Sequence, residues 1–340
     1  MREQMFIPTL VGDLALTPDD LGPDEHELLA RLANRYYTDG QTQEALAREF
    51  GLSRAKVQRL LDRARTTGVV DIRIAAPSWL RLDLERRLRE RFGLAEAIVA
   101  PARDDPDAQR EEVARVAARF LERHLVDGAV VAVSHGRDTG EVPRFFRPAH
   151  RVDATFVSAM GGSPHTDAPT NPNDIARRLA DRCGGRAVAL YAPAYVESDA
   201  TRDELLRHEA VAETLRMASA ASLALVGIGG TDDGCTMVRT GSVSHDELRR
   251  LREAGAVGDV LGNYVDVNGG RLDSAETARL IGLSVDDLHR VETVAAVVSE
   301  REKPLAIRGV LRTGVVDVLI VDEPNARILA EAAPDPSPRP

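Results

Sequence analysis

The sequence predicts an α/β protein in two parts: a small N-terminal winged helix-turn-helix, then a larger doubly wound parallel sheet. Three observations carry that expectation. Residues 26–75 show helical periodicities punctuated by single glycines and followed by an alternating apolar run. From residue 93 onward, short β-branched runs alternate with helical stretches, as in a parallel sheet with helices between its strands. The 340 residues make roughly two domains at about 150 each, and 43% hydrophobic with 29% charged residues is an ordinary globular balance.

The first element is a helix over residues 26–39, with Leu28, Leu29, Leu32, Ala33 and Tyr36 on one face and Gly40 as its stop. Thr42 is placed to cap a second helix, 43–50, whose apolar face is Ala45, Leu46 and Phe50. Gly51-Leu52 makes a tight turn. Ser53 caps a third helix, 54–66, with Val57, Leu60, Leu61 and Ala64 facing inward. Gly68 ends it, and residues 69–74 alternate like a short strand, the wing. With the apolar stripe buried, the basic and amide side chains of the third helix lie on its open face. The early turns of such a helix enter the major groove of DNA, where Arg and Lys read guanine and Gln reads adenine. The candidate contacts are Thr42, Gln43, Ser53, Arg54, Lys56, Gln58 and Arg59. A basic helix alone is as often merely solvated; the glycine turn, the preceding helices and the strand decide for DNA.

The net charge of −10 opposes nucleic acid only until its distribution is read. Residues 1–25 hold six acids and one base, whereas residues 26–75 hold nine bases and six acids. Local charge decides whether a phosphate backbone is attracted. The chain then divides into an acidic extension (1–25), the winged helix-turn-helix (26–75), a linker helix (76–92), a large domain (93–331) and a disordered tail (332–340). Two cysteines, Cys183 and Cys235, make neither a disulfide framework nor a four-ligand zinc site. No histidines stand at HxxxH spacing, no apolar run reaches the ~18 residues of a membrane helix, and the N-terminus has no secretory pattern. The expectation is a cytoplasmic protein without metal or cofactor.

In the large domain the strand candidates are 97–100, 129–133, 154–158, 187–190, 223–228, 293–298 and 317–321, with helices at 109–125, 173–183, 202–218 and 305–312. Ligands of open parallel sheets sit beyond the carboxyl ends of the strands. The loops there are Ser134-His135-Gly136-Arg137-Asp138-Thr139, Ala159-Met160-Gly161-Gly162-Ser163, Gly227-Ile228-Gly229-Gly230 and the stretch from Ser299 to Pro304. Paired glycines let backbone N–H groups approach an anion, and helix N-termini hold positive potential; each pair alone marks only a turn, but three such loops at consecutive strand ends point to a phosphorylated or hydroxyl-rich ligand. Of 44 basic residues only Lys56 and Lys303 are lysine, one on the basic helix and one at a strand-end loop.

Specific motifs run through both parts. Tyr36-Tyr37, Thr42-Gln43, Gly51-Leu52-Ser53, Val57-Gln58-Arg59-Leu60-Leu61 and Ala64-Arg65-Thr66-Thr67-Gly68 resemble the DNA-binding head of the SorC family of bacterial sugar-responsive transcription regulators. The runs VAVSHGRDTGEV, SAMGG, ALVGIGG, GAVGDVLGNYVDVNG and KPLAIRGVLRTGVVDVLIVDEPNA resemble that family's effector domain. The resemblance covers about residues 26–330. It implies a sugar-phosphate isomerase-like fold and an operon regulator, expected as a repressor. A sugar, polyol or sugar phosphate would be held by Gly136, Arg137, Thr139, Gly161, Gly162, Ser163, Asp259 and Lys303. The family has an aromatic where this chain has His135. Where the family has Gly-Gly before the lysine, this chain has Ser299-Glu300, and an acid there repels a phosphate.

The alternative is a sugar-phosphate isomerase- or deaminase-like enzyme. Deaminases of that fold follow Gly-Ile-Gly with Asp-Gly-His; here the spacing to the corresponding position is longer and it holds Cys235. Gly161-Gly162-Ser163-Pro164-His165 is not a nucleophile elbow. No catalytic residue is assigned. One helix-turn-helix reads too few base pairs for useful specificity, so the expected partners are operator DNA, the small effector and further copies of the chain, as a dimer or tetramer.

Overall fold

The computed structural model describes residues 22–70, 81–163, 168–300 and 303–331. They form two compact units, divided between Ala76 and Pro77.

In the smaller unit, α1 (Pro23–Ala33) runs into a wider single turn at Asn34–Thr38, followed by α2 (Gln43–Phe50) and α3 (Arg54–Thr66). Leu29, Leu32, Leu46, Val57, Leu61 and Ala64 are buried between the three helices. Both expected caps form: Thr42 Oγ1 accepts from Ala45 N and Ser53 Oγ from Lys56 N, each at 3.2 Å. Gly51 ends α2 at φ +65°, a conformation that favours glycine. Val69 and Val70 pack against Leu29, Ala33 and Ala64. The rest of the expected wing, most of the acidic extension and the whole C-terminal tail lie outside the described residues.

The larger unit opens with α4 (Leu82–Phe92). Leu84 and Leu88 of α4 are buried in the unit's own core, so the expected linker helix belongs to this unit. Then follow β1 (Glu96–Ala100), α5 (Pro106–His124), β2 (Val130–Val133), α6 (Arg137–Phe145), β3 (Thr155–Ser158), α7 (Pro172–Cys183) and β4 (Arg186–Val188). Next come α8 (Asp199–Arg207), α9 (Glu209–Ser219), β5 (Leu223–Gly230), α10 (Thr236–Arg239), α11 (His245–Glu253), β6 (Gly258–Val260) and β7 (Asn263–Val265). The chain continues through α12 (Val285–Leu288), β8 (Val294–Val298), α13 (Pro304–Arg312), β9 (Val318–Asp322) and α14 (Glu323–Glu331).

Seven strands pair in parallel in the order β1-β9-β8-β5-β2-β3-β4. Every residue of β8 and β9 is buried, because helices cover both faces of the sheet. Alternate residues feed two cores: Leu319 and Val321 join one, Val318 and Ile320 the other. This is the doubly wound sheet the sequence predicts. Three features differ from the expected elements. Residues 202–218 are two helices, broken where His208 takes an extended conformation (ψ +125°). The stretch after Gly136 is a helix, α6. The GAVGD run forms a hairpin, β6–β7, attached antiparallel to the end of β5.

Candidate functional site

From β2 the chain winds outward through β3 and β4, then returns to lay β5 on the other side of β2. The reversal makes the carboxyl ends of β2 and β5 the switch point of the sheet, where such folds open a crevice. Ser134 ties the two ends together: its N–H donates to Leu225 O at 3.0 Å and its Oγ accepts from Gly227 N at 2.9 Å.

The cleft beyond them is lined by His135, Gly136, Arg137 and Asp138 after β2, Gly227–Gly229 of β5, Cys235–Met237, Asp259 of β6, and Glu300 with Lys303 after β8. Gly136, at φ +142°, turns the chain into α6 and sets Arg137 and Asp138 in its first turn. Lys303 is buried and donates its Nζ to Ile228 O at 2.7 Å and to Glu300 Oε2 at 2.8 Å. Arg137 Nη2 lies 2.5 Å from Glu300 Oε1. Asp138 is buried; Ser299 donates both its N–H (3.2 Å) and its hydroxyl (2.5 Å) to that carboxylate. Asp259 accepts from Gly262 N at 2.9 Å.

Burial dominates the electrostatics. It pushes Asp259 up to about 6, against the opposing pull of the Gly262 N–H and Lys303. It pushes His135 down to about 4, helped by Lys303, so this imidazole is neutral near pH 7. His135 Nδ1 lies 2.8 Å from Met160 Sδ. Burial raises Asp138 as well, opposed chiefly by Lys303. The Cys235 thiol is pushed up to about 11, again by burial first, and a protonated thiol is a poor nucleophile. Among the described residues no group of three His, Cys, Asp or Glu side chains is placed to hold a metal ion.

The structure therefore brings Gly136, Arg137, Asp259 and Lys303 of the sequence candidates to one cleft. It places the other four differently. Thr139 is buried, with its Oγ1 donating to Gly136 O at 3.4 Å, and does not line the cleft. The N–H groups of Gly161 and Gly162 are committed to Ile281 O (2.9 Å) and Ala192 O (3.0 Å), so the expectation that they donate to a ligand is corrected. Gly161 is instead a packing glycine, since a Cβ there would collide with the Pro193 carbonyl. Ser163 donates to Thr240 O at 3.1 Å in an adjoining recess that shares His135 and Met237 with the cleft. Asp138 joins the cleft beyond the sequence candidates; it follows Arg137 directly, and the sequence marks it only as a second charged residue at a strand end.

On the smaller unit, Thr42, Ser53, Arg54, Gln58 and Arg59 are exposed, and Gln43 and Lys56 are half-buried. Thr42, Gln43 and Arg54 line one groove with Tyr36 and Tyr37. Arg63 pairs with Glu25 at 2.8 Å and Arg35 with Asp39 at 3.0 Å. No described acidic side chain pairs with Arg54, Lys56 or Arg59.

Residues 78–331 match the family described as "Putative sugar-binding domain". The chain is also 31% identical over 309 residues to the erythritol catabolism regulatory protein EryD of Brucella abortus, across 90% of this chain and 96% of that protein. The chain belongs to the SorC family of sugar-binding transcription regulators. The sugar-binding domain of a Vibrio fischeri transcriptional repressor is 36% identical, with a TM-score of 0.68 over 73% of this chain and 97% of that one. The full-length sorbitol operon regulator SorC of Klebsiella pneumoniae has the same fold, with a TM-score of 0.70 and 24% identity over 91% of this chain and all of that one. Like these family members the protein is a regulator, not an enzyme. No described helix is long and apolar enough to cross a membrane.

Proposed function

We propose that this regulator represses an operon for sugar or polyol catabolism, reading operator DNA with α3 and sensing a sugar or polyol in the cleft at the β2/β5 switch point. The observation that carries the effector reading is the cleft's wall. It gathers buried and half-buried hydrogen-bonding side chains at the strand ends, where hydroxyl groups find donors and acceptors together. The names of two relatives fit that class: EryD is named for erythritol catabolism and SorC for the sorbitol operon, and both compounds are polyols.

Asp259 and Asp138 accept from ligand hydroxyls, and Arg137 and Lys303 donate. Ser53, Arg54, Lys56, Gln58 and Arg59 meet base edges and phosphates, with Thr42 and Gln43 of α2 on the backbone. Paired half-sites require two such helices, hence a homo-oligomer. The ligand shifts DNA affinity only by the difference in its own affinity for the two states of the protein. The test is operator binding by gel shift, with and without a panel of sugars and polyols, with light scattering for the oligomer. The reading predicts retarded operator DNA whose affinity one compound changes at least fivefold, about 1 kcal/mol of coupling. A chain that retards no operator, or one whose binding no sugar or polyol alters, overturns it.

A further inference from the structure

Glu300 is held in place from several sides. The residue before it, Ser299, is fixed to Asp138 by two hydrogen bonds. Its own carbonyl accepts from Asn325 Nδ2 at 2.8 Å, and buried Asn325 is in turn bound to Asp322. Its carboxylate lies against Lys303 Nζ (2.8 Å) and Arg137 Nη2 (2.5 Å), with Arg110 Nη2 at 3.9 Å. Burial opposes its charge, but Lys303, Arg137 and Arg110 hold it below the usual carboxylate range, so it is ionised at neutral pH.

The chain thus supplies its own anion to the cleft's cations. Among the described lining residues, Asp138, Asp259 and Glu300 face two cations, Arg137 and Lys303. A wall rich in carboxylates asks a ligand for hydrogen-bond donors. A hydroxyl donates and accepts; a phosphate dianion only accepts, and brings about two further negative charges. Resting on the sugar-sensing reading above, we propose that Glu300 is the specificity-determining residue of the cleft: its carboxylate occupies the place of an anionic ligand group, so the site takes an uncharged polyol or sugar and rejects the phosphorylated form. Arg137 Nε is buried and has no hydrogen-bond partner among the described residues, so it adds a donor beside Lys303 at this end of the cleft.

The experiment uses the full chain in two arms. Calorimetry compares erythritol, xylitol and D-glucitol with their monophosphates on the parent protein and on Glu300→Gln. Thermal shift with inorganic phosphate compares the same proteins, with Glu300→Ser as a second variant should the amide fold poorly. The expected result is a free alditol binding the parent at least tenfold more tightly than its monophosphate, with that preference falling below threefold in Glu300→Gln. Inorganic phosphate should stabilise the variants and leave the parent unmoved. A monophosphate that binds the parent more tightly than its alditol overturns the proposal, as does a phosphate shift equal in parent and variants. If no alditol or ester binds the parent while phosphate stabilises only the variants, Glu300's exclusion of anions stands and the polyol-sensing reading falls. If phosphate also leaves the variants unmoved, the proposal falls with it.

Discussion

The carboxylate of Asp259 lies directly over Gly229, its partner in the antiparallel β5–β6 register, so that a Cβ at residue 229 would collide with Asp259 Oδ1. The glycine is required by the aspartate. Gly229→Ala is expected to displace that carboxylate and abolish ligand binding. The overpacking costs about 1–3 kcal/mol. Calorimetry and denaturant unfolding on the same variant check both; a parent-like ligand affinity would show that Asp259 does not touch the ligand.

Two buried groups give the larger unit opposing pH dependences. His135 takes up a proton near pH 6.5 in the unfolded chain but only near 4 in the fold, so its contribution is whole above pH 6.5 and is lost as pH falls to 4. Asp259 ionises near 3.8 unfolded and near 6 folded, so its contribution is whole below 3.8 and is lost as pH rises through 6. Between about pH 4 and 6 the two slopes cancel. His135→Phe should remove the loss on the acid side, and Asp259→Asn the loss toward neutrality. Each is worth up to about 3 kcal/mol at 1.36 kcal/mol per unit. Urea unfolding from pH 4 to 8 reads both, and parallel curves for parent and variants would contradict them.

On the smaller unit, the Arg54→Ala, Lys56→Ala double variant should bind operator about 2–6 kcal/mol more weakly, at about 1–3 for each of the two contacts. Its salt dependence should also be shallower, because fewer counterions are released. Fluorescence anisotropy at several salt concentrations measures both. An unchanged affinity with the fold intact removes α3 as the reading helix.

Lys303→Ala deletes a cation that binds Ile228 O and Glu300 together. Ligand affinity should drop at least tenfold, about 1.4 kcal/mol. Operator affinity without ligand should stay within about twofold, since Lys303 belongs to the other unit. A variant that still responds to ligand like the parent would place the effector elsewhere.

Much of this was legible in the chain because it is written locally. Thr42 and Ser53 cap the helices their positions suggest, and Gly51 makes the turn between them. The buried strands announce themselves as apolar runs. α6 is not among the expected helices, and it carries two poor helix formers, Gly140 and Pro143. Gly140 is there for a long-range reason: a Cβ would collide with the Pro169 carbonyl, so packing overrides propensity. The β6–β7 hairpin was hidden too, since its register is set by β5, some 30 residues away. The site was half legible. Residue types at strand ends located the cleft, but whether a backbone N–H is free or already bonded, as at Gly161 and Gly162, depends on partners far along the chain.

The parallel pairing of β1 with β9 has a consequence for biosynthesis. β1 must wait for Val318–Asp322 before its neighbour exists, whereas the three helices of the smaller unit are complete at Thr66. Those roughly 250 intervening residues take on the order of tens of seconds on the ribosome at about 5–20 residues per second. Each newly made molecule therefore has the three helices of its smaller unit well before the sheet of the larger unit receives its last strand.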